Sequence, residues 1–152
     1  MIVYRISRTK YAKDLTGEGA RLNGGRWNHK LTACVYTSES RALALLEYTV
    51  NVNIDDIPRA LSFTVIEIPE DDILQLNIAD LPGNWAAAPS PSSTKYYGTV
   101  LLKKAEHPII KIPSAVIPTE YNYLLNPMHS DIKKCKILDV SDFVYDVRIK
   151  MA

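Results

Sequence analysis

What the sequence has little of narrows its class first. Only two cysteines are present, Cys34 and Cys135, and neither lies at metal-ligand spacing from another cysteine or from His29, His107 or His129. No metal site and no disulfide framework is expected, and a reducing, cytoplasmic setting is. No apolar run approaches the ~20 residues that a membrane helix needs. The opening Met-Ile-Val-Tyr-Arg lacks the apolar core of a signal peptide. Neither membrane spanning nor secretion is expected. An excess of one charge is also missing: 18 basic residues face 17 acidic ones, and the pI is about 7.7. A dedicated nucleic-acid binder is expected at about 9 or more, so direct nucleic-acid binding is not expected either. There is no internal repeat and no long linker.

What is present describes one domain. The chain has 152 residues, 47% hydrophobic and 23% charged, and a chain of this length buries roughly 68–70% of its unfolded surface. All of residues 1–152 are therefore read as one unit. Charge is unevenly spread along it. Residues 1–41 hold eight Lys/Arg against three acids, whereas residues 55–80 hold seven acids against Arg59 alone. A basic front half suits a small phosphorylated ligand; solvated surface charge would give the same counts.

Strand patterns dominate. Met1–Ile6, Cys34–Thr37, Leu61–Ile68, His107–Ile112 and Cys135–Val140 read as strands, as does Phe143–Ile149 with its alternating Phe143, Tyr145, Val147 and Ile149. Two helices are expected, one capped by Ser38 and running to about Val52, the other capped by Ser92 or Ser93 and running to about Lys104. Gly98 inside the second costs about 1 kcal/mol against Ala and so marks a close contact. Leu81–Thr94, with Pro82, Pro89, Pro91 and three serines, reads as a loop within the domain. The fold class is α+β: a single domain of mixed and antiparallel strands with few helices.

Three segments carry candidate chemistry. Glu47 is the only charged residue from Ala42 to Ile54 and shares a helical stripe with Leu43, Leu46 and Val50. A carboxylate on such a stripe is ion-paired, turned to solvent or functional, because burying it alone costs several kcal/mol. Gly24-Gly25-Arg26-Trp27-Asn28 sets a guanidinium fork behind glycines that allow close backbone approach. The fork suits phosphate oxygens; a turn with Arg26 stacked on Trp27 is the structural alternative. Pro113 and Pro118 bracket a segment that places Ser114 where a strand is interrupted, without any Gly-x-Ser-x-Gly or Ser-His-Asp context.

Together these blocks resemble the RES domain family, named for an arginine, a glutamate and a serine. The matching stretches are Tyr4-Arg5-Ile6, Gly24–Asn28, Val35–Ser40, Ala44–Glu47 and Pro113 through Asn122-Tyr-Leu-Leu-Asn-Pro127 with His129. The family's arginine falls on Arg26, its tyrosine on Tyr36, its glutamate on Glu47 and its serine on Ser114. Leu31, Thr99 and Ser130 depart from the family pattern; Leu31 stands where a glycine is usual.

The resemblance implies a fold like that of ADP-ribosyltransferases. It also implies the toxin half of a bacterial toxin–antitoxin pair that consumes NAD by hydrolysis or phosphorolysis, or that transfers ADP-ribose to a protein. It further implies a partner, an Xre-like antitoxin with a DNA-binding domain, expected to occlude the cleft around Arg26. In that reading Glu47 stabilises positive charge developing on the ribose. Arg26 suits the pyrophosphate or an adjacent ribose phosphate, Tyr36 offers a ring to stack on or clamp nicotinamide, Ser114 orients the ligand or Glu47, and Arg5 is either a second phosphate contact or an outward-facing strand residue. A non-catalytic nucleotide- or protein-binding module is the reading from another class.

Overall fold

The computed structural model describes residues 1–150. Seven strands form one sheet: β1 (Ile2–Arg8), β2 (Val35–Ser38), β3 (Leu61–Glu67), β4 (Ile73–Gln75), β5 (Ile109–Pro113), β6 (Tyr121–Leu125) and β7 (Lys136–Phe143). Their order is β4-β5-β6-β2-β1-β3-β7, antiparallel throughout except for the parallel β4–β5 pair. Three helices accompany them: α1 (Glu18–Asn23), α2 (Arg41–Asn51) and α3 (Ser92–Lys104). The expected class, a mixed sheet with few helices, is the class observed.

The sheet is nearly divided in two. β1 pairs with β3 from Ile2↔Glu67 to Arg8↔Leu61, but with β2 only at Tyr4↔Ser38. Beyond that single pair the two central strands part, and a gap opens beside Arg5, Ile6, Tyr36 and Thr37. Pairing and pleat put Tyr4, Tyr36, Ser38, Asn122 and Leu124 on one face. Both long helices cover that face. α3 lies over Ile110, Ile112 and Leu124 with Trp27, Trp85 and Leu102. The other helix, α2, packs through Ala44, Leu45 and Tyr48 on Ile6, Leu61 and Phe63. The opposite face buries Val3, Val35, Ile66, Ile109, Tyr123 and Leu125. β5 is thus apolar on both sides, which is why it reads as a nearly continuous hydrophobic run.

Several boundaries differ from expectation for identifiable reasons. Ser40, not Ser38, caps α2, accepting from the Leu43 N–H at 3.1 Å. Ser38 lies in β2 instead, where its hydroxyl has another use. Pro91 precedes α3, and neither Ser92 nor Ser93 caps it; the Ser93 hydroxyl donates to Asn84 Oδ1 instead. The expected strand Phe143–Ile149 does not form. β3 begins at Leu61, whose partner is Phe143, so the residues beyond have no strand to pair with. There Asp146 accepts from the Arg148 N–H and binds its guanidinium, and Val147–Ile149 turns into a short 3-10 helix. Val144 is left 84% exposed. Three elements stood outside the sequence reading, α1, β4 and β6. The first two are too short to show a period. The third carries polar Asn122 among its apolar residues, and that position matters below.

Candidate active site

A cleft of about 580 Å³ opens between α2, the Gly24–Asn28 turn and the parted strands; Tyr4, Arg5, Arg26, Tyr36, Glu47 and Asn122 are among its lining residues. A second cavity of about 420 Å³ adjoins it, sharing Arg5, Ile6, Gly19, Ala20, Asn23 and Tyr36. Both lie where β1 and β2 separate.

On one wall stands Glu47. Leu43 and Ala44, four and three residues before it, are buried against the sheet, whereas Leu46 and Val50 face outward at 36% and 56% exposure. The stripe expected through Leu46 and Val50 is therefore rotated, and Glu47 sits at its border, half-buried and facing the cleft. No cation lies within ion-pair distance of its carboxylate among the described residues. Its Oε1 accepts two hydrogen bonds instead, from Ser114 Oγ at 2.6 Å and from Asn122 Nδ2 at 2.7 Å. Ser114 follows β5 directly and is wholly buried. Its hydroxyl oxygen accepts from the Val116 and Ile117 N–H groups, both at 3.1 Å, so its one proton is left for Glu47.

On the other wall, Gly24 takes φ +73° and Gly25 packs so tightly that a Cβ there would lie 2.6 Å from the Tyr36 hydroxyl. Arg26, which follows them, does not stack on Trp27. Its Nη1 donates to the carbonyls of Trp85 and Ala87, both at 2.8 Å, while Trp27 is buried with its ring edge-on to Tyr97. Burial lowers the Arg26 pKa, and the charge of Glu47 opposes that shift. α3 clamps the same turn from behind. Lys95 Nζ donates to Gly25 O, Thr99 Oγ1 accepts from the His29 N–H, and a Cβ on Gly98 would fall 2.0 Å from Trp27 O. The close contact expected at Gly98 is this one.

Tyr36 ties the turn to the sheet. Its hydroxyl donates to Asn28 Oδ1 at 2.6 Å and accepts from the Trp27 N–H at 3.0 Å, leaving the ring to line the cleft. Burial pushes the phenol well above its usual pKa, so it is a neutral donor near pH 7. Asn28, wholly buried, also donates to the Ala20 and Thr32 carbonyls. Arg5 spends its two terminal nitrogens on the carbonyls of Tyr11, Ala12 and Asp14, while its Nε is buried without a partner. Its guanidinium thus organises the turn after β1 at the edge of both cavities.

Arg26, Tyr36 and Glu47 are brought to one cleft, and Ser114 to the back of Glu47. Asn122, Ser38, Asn28 and Lys95 also hold the site; sequence reasoning gives Asn122, Asn28 and Lys95 no role and marks Ser38 only as a helix cap. Asn122, Asn28 and Ser38 lie inside the blocks already singled out, and for Asn122 a polar residue among apolar ones is the available signal.

A family model for the RES domain matches residues 2–146. The chain belongs to the RES domain family. It is 37% identical to "Toxin Res" of Yersinia enterocolitica, over 99% of this chain and all of that one. It is 36% identical to "Prs ADP-ribosylating toxin" of a Sphingobium species, over 94% of this chain and 91% of the relative. Its fold matches a chain in the crystal structure of the M. tuberculosis MbcT–MbcA toxin–antitoxin complex, with a TM-score of 0.75 and 18% identity, covering 94% of this chain and 84% of that one. In this RES domain the three departures from the family pattern are accommodated locally. Leu31 keeps a left-handed φ of 78°, Thr99 braces His29, and Ser130 opens a 3-10 turn whose Asp131 N–H donates to His129 Nδ1.

Proposed function

We propose that this RES domain is the toxin of a toxin–antitoxin pair and cleaves the nicotinamide–ribose bond of NAD. The observation that carries the reading is one cleft holding a carboxylate without a cation beside it, Glu47, and a guanidinium with donors to spare, Arg26. NAD presents complementary chemistry. Its pyrophosphate is anionic, and its ribose turns cationic as nicotinamide leaves. The C1′–N bond breaks with its electron pair going to the nicotinamide ring, which departs neutral and needs no strong acid. A water or phosphate oxygen then bonds to C1′, and an attacking water sheds its proton. Glu47 stabilises the ribose cation, in the manner of glycoside chemistry. The free nitrogens of Arg26 hold the pyrophosphate in forked geometry. Ser114 acts through Glu47, the Tyr36 ring supplies a flat surface for nicotinamide, and Arg5 shapes the cleft's edge.

Incubating the protein with NAD, with and without phosphate, tests the reading through its products. Free ADP-ribose indicates hydrolysis, an ADP-ribose phosphate ester indicates phosphorolysis, and unchanged NAD would sink the proposal in favour of a binding module. A second reading keeps the site and sends ADP-ribose to a protein; the name of the Sphingobium relative favours it, and labelled protein would reveal it. The antitoxin, in either case, is proposed to present a carboxylate to Arg26, in competition with the pyrophosphate. The structural neighbour, solved together with its antitoxin, supports such a partner. Equal antitoxin affinity for wild type and a folded Arg26→Ala variant would remove the occlusion idea.

A further inference from the structure

Glu47 uses only one of its two oxygens on the protein. Both Ser114 Oγ and Asn122 Nδ2 donate to Oε1, and no described group donates to Oε2. Each donor is oriented by a contact of its own. Ser114 has its oxygen occupied by two backbone N–H groups. Asn122 has its amide oxygen, Oδ1, occupied by the hydroxyl proton of buried Ser38 at 2.7 Å. An asparagine amide can flip end for end, and a flipped Asn122 would turn an oxygen toward the carboxylate. The Glu47 carboxylate, which only accepts, decides against that flip, and the Ser38 hydroxyl, able to donate or accept, donates to the amide oxygen left on its side.

We infer that Ser38 and Asn122 form a positioning relay that fixes Glu47 by one oxygen and leaves Oε2 as its substrate-facing acceptor. The relay rests on the proposed NAD reading for its consequence and on geometry alone for its existence. The pair is not needed to align the strands, because β2 and β6 are already in register from Val35↔Leu125 to Ser38↔Asn122. Ser38 and Asn122 are direct cross-strand partners on the face beneath Glu47, so the relay is built into the platform on which the cleft stands. A carboxylate held this way keeps one oxygen occupied by the protein and turns the other toward a ribose hydroxyl or the developing cation.

The test compares Ser38→Ala, Asn122→Ala and Asn122→Asp with wild type in NAD turnover, alongside thermal melts. A catalytic group misplaced by about 1 Å can cost about 100-fold in rate, and the relay predicts that the loss falls on kcat while KM is nearly unchanged. Asn122→Asp is the sharper variant. It keeps the side chain's shape but sets an acceptor against an acceptor, so it should be at least as damaging as Asn122→Ala, whereas a packing role predicts the milder effect. Full kcat in both alanine variants, or near wild-type activity in Asn122→Asp, overturns the relay. If wild type itself leaves NAD intact, the NAD reading fails and the relay is decided by crystal structures instead. In Ser38→Ala, which leaves Asn122 Oδ1 without its donor, the Asn122 side chain or the Glu47 carboxylate should be displaced; both side chains unmoved would refute it.

Discussion

On the acidic wall of the cleft Glu47 meets only side-chain donors, Ser114 and Asn122, whereas on the basic wall Arg26 donates only to the main-chain carbonyls of Trp85 and Ala87. The acidic wall is thus assembled from α2, the end of β5 and the start of β6, with two side chains converging on one oxygen of a third. The basic wall is a turn pressed between α3 and the 82–91 loop, with backbone touching backbone at Gly98 and Trp27. A wall held by side chains loses chemistry when one of them changes and keeps its shape. A wall held by backbone transmits any change to everything it touches. Stability and activity should therefore separate on the first wall and fall together on the second.

Gly98→Ala gives the largest effect. An alanine in a helix interior ordinarily gains about 1 kcal/mol over glycine. Here the added carbon would lie 2.0 Å from the Trp27 carbonyl oxygen, and backbone cannot step aside as a flexible side chain can. Overpacking of this severity costs about 3 kcal/mol or more, so denaturant unfolding should show a marked loss and activity should vanish with it. A variant as stable as wild type would mean that α3 does not clamp the turn.

Glu47→Gln tests the other wall and should leave the fold alone. A buried ion pair broken on one side costs about 3–5 kcal/mol, but Glu47 has no such partner to strand. The expected result is a melting temperature close to that of wild type and a loss of NAD turnover of about 10²–10³-fold, typical of removing one electrostatic stabiliser. Full turnover in the folded variant would take Glu47 out of the chemistry. Arg26→Lys comes next. Lysine keeps the charge but cannot reach two carbonyls and a ligand with a planar fork. A hydrogen bond to a charged group is worth about 1.5–3 kcal/mol, so KM for NAD should rise by about 10–100-fold, with a smaller accompanying fall in stability. An unchanged KM would assign Arg26 to holding the 82–91 loop.

The two walls also differ in how far the sequence disclosed them. Glu47 was visible because one charge in an otherwise uncharged helical stretch is a local contradiction, and Arg26 because paired glycines before an arginine are a local pattern. Their supports were not visible. Ser38 and Asn122 are 84 residues apart in sequence and Arg26 and Trp85 are 59 apart, and no spacing rule links such positions. The same limit explains the strand misread at Phe143–Ile149. Alternation shows that a segment could be a strand, but only a partner makes it one, and β3 ends its pairing at Leu61↔Phe143. The stripe on α2 was misjudged by its rotation: Leu46 and Val50 have the right period but face outward beside the cleft. Gly98, by contrast, was marked correctly, since a glycine in a helix interior carries a cost that something in the fold must justify.

The smallest effect, and one of opposite sign, is expected at Leu31 on the basic wall. Its φ of 78° is a conformation that glycine adopts freely, and a leucine there costs roughly 1–2 kcal/mol. The side chain offers little in return, being 78% exposed. What fixes the position is backbone: the Leu31 N–H donates to the Arg21 carbonyl at 2.7 Å, a bond that glycine can make equally well. Leu31→Gly therefore removes the strain and keeps the contact. Against that gain stands the larger freedom of glycine in the unfolded chain, about 0.4–1 kcal/mol, leaving a net stabilisation of about 0.5–1 kcal/mol. For a domain of this size that corresponds to a rise in melting temperature of about 1–4 °C, with NAD turnover unchanged because the residue lines neither cavity. A melt at or below the wild-type temperature would show that the leucine side chain, despite its exposure, helps to hold the turn beside Arg26.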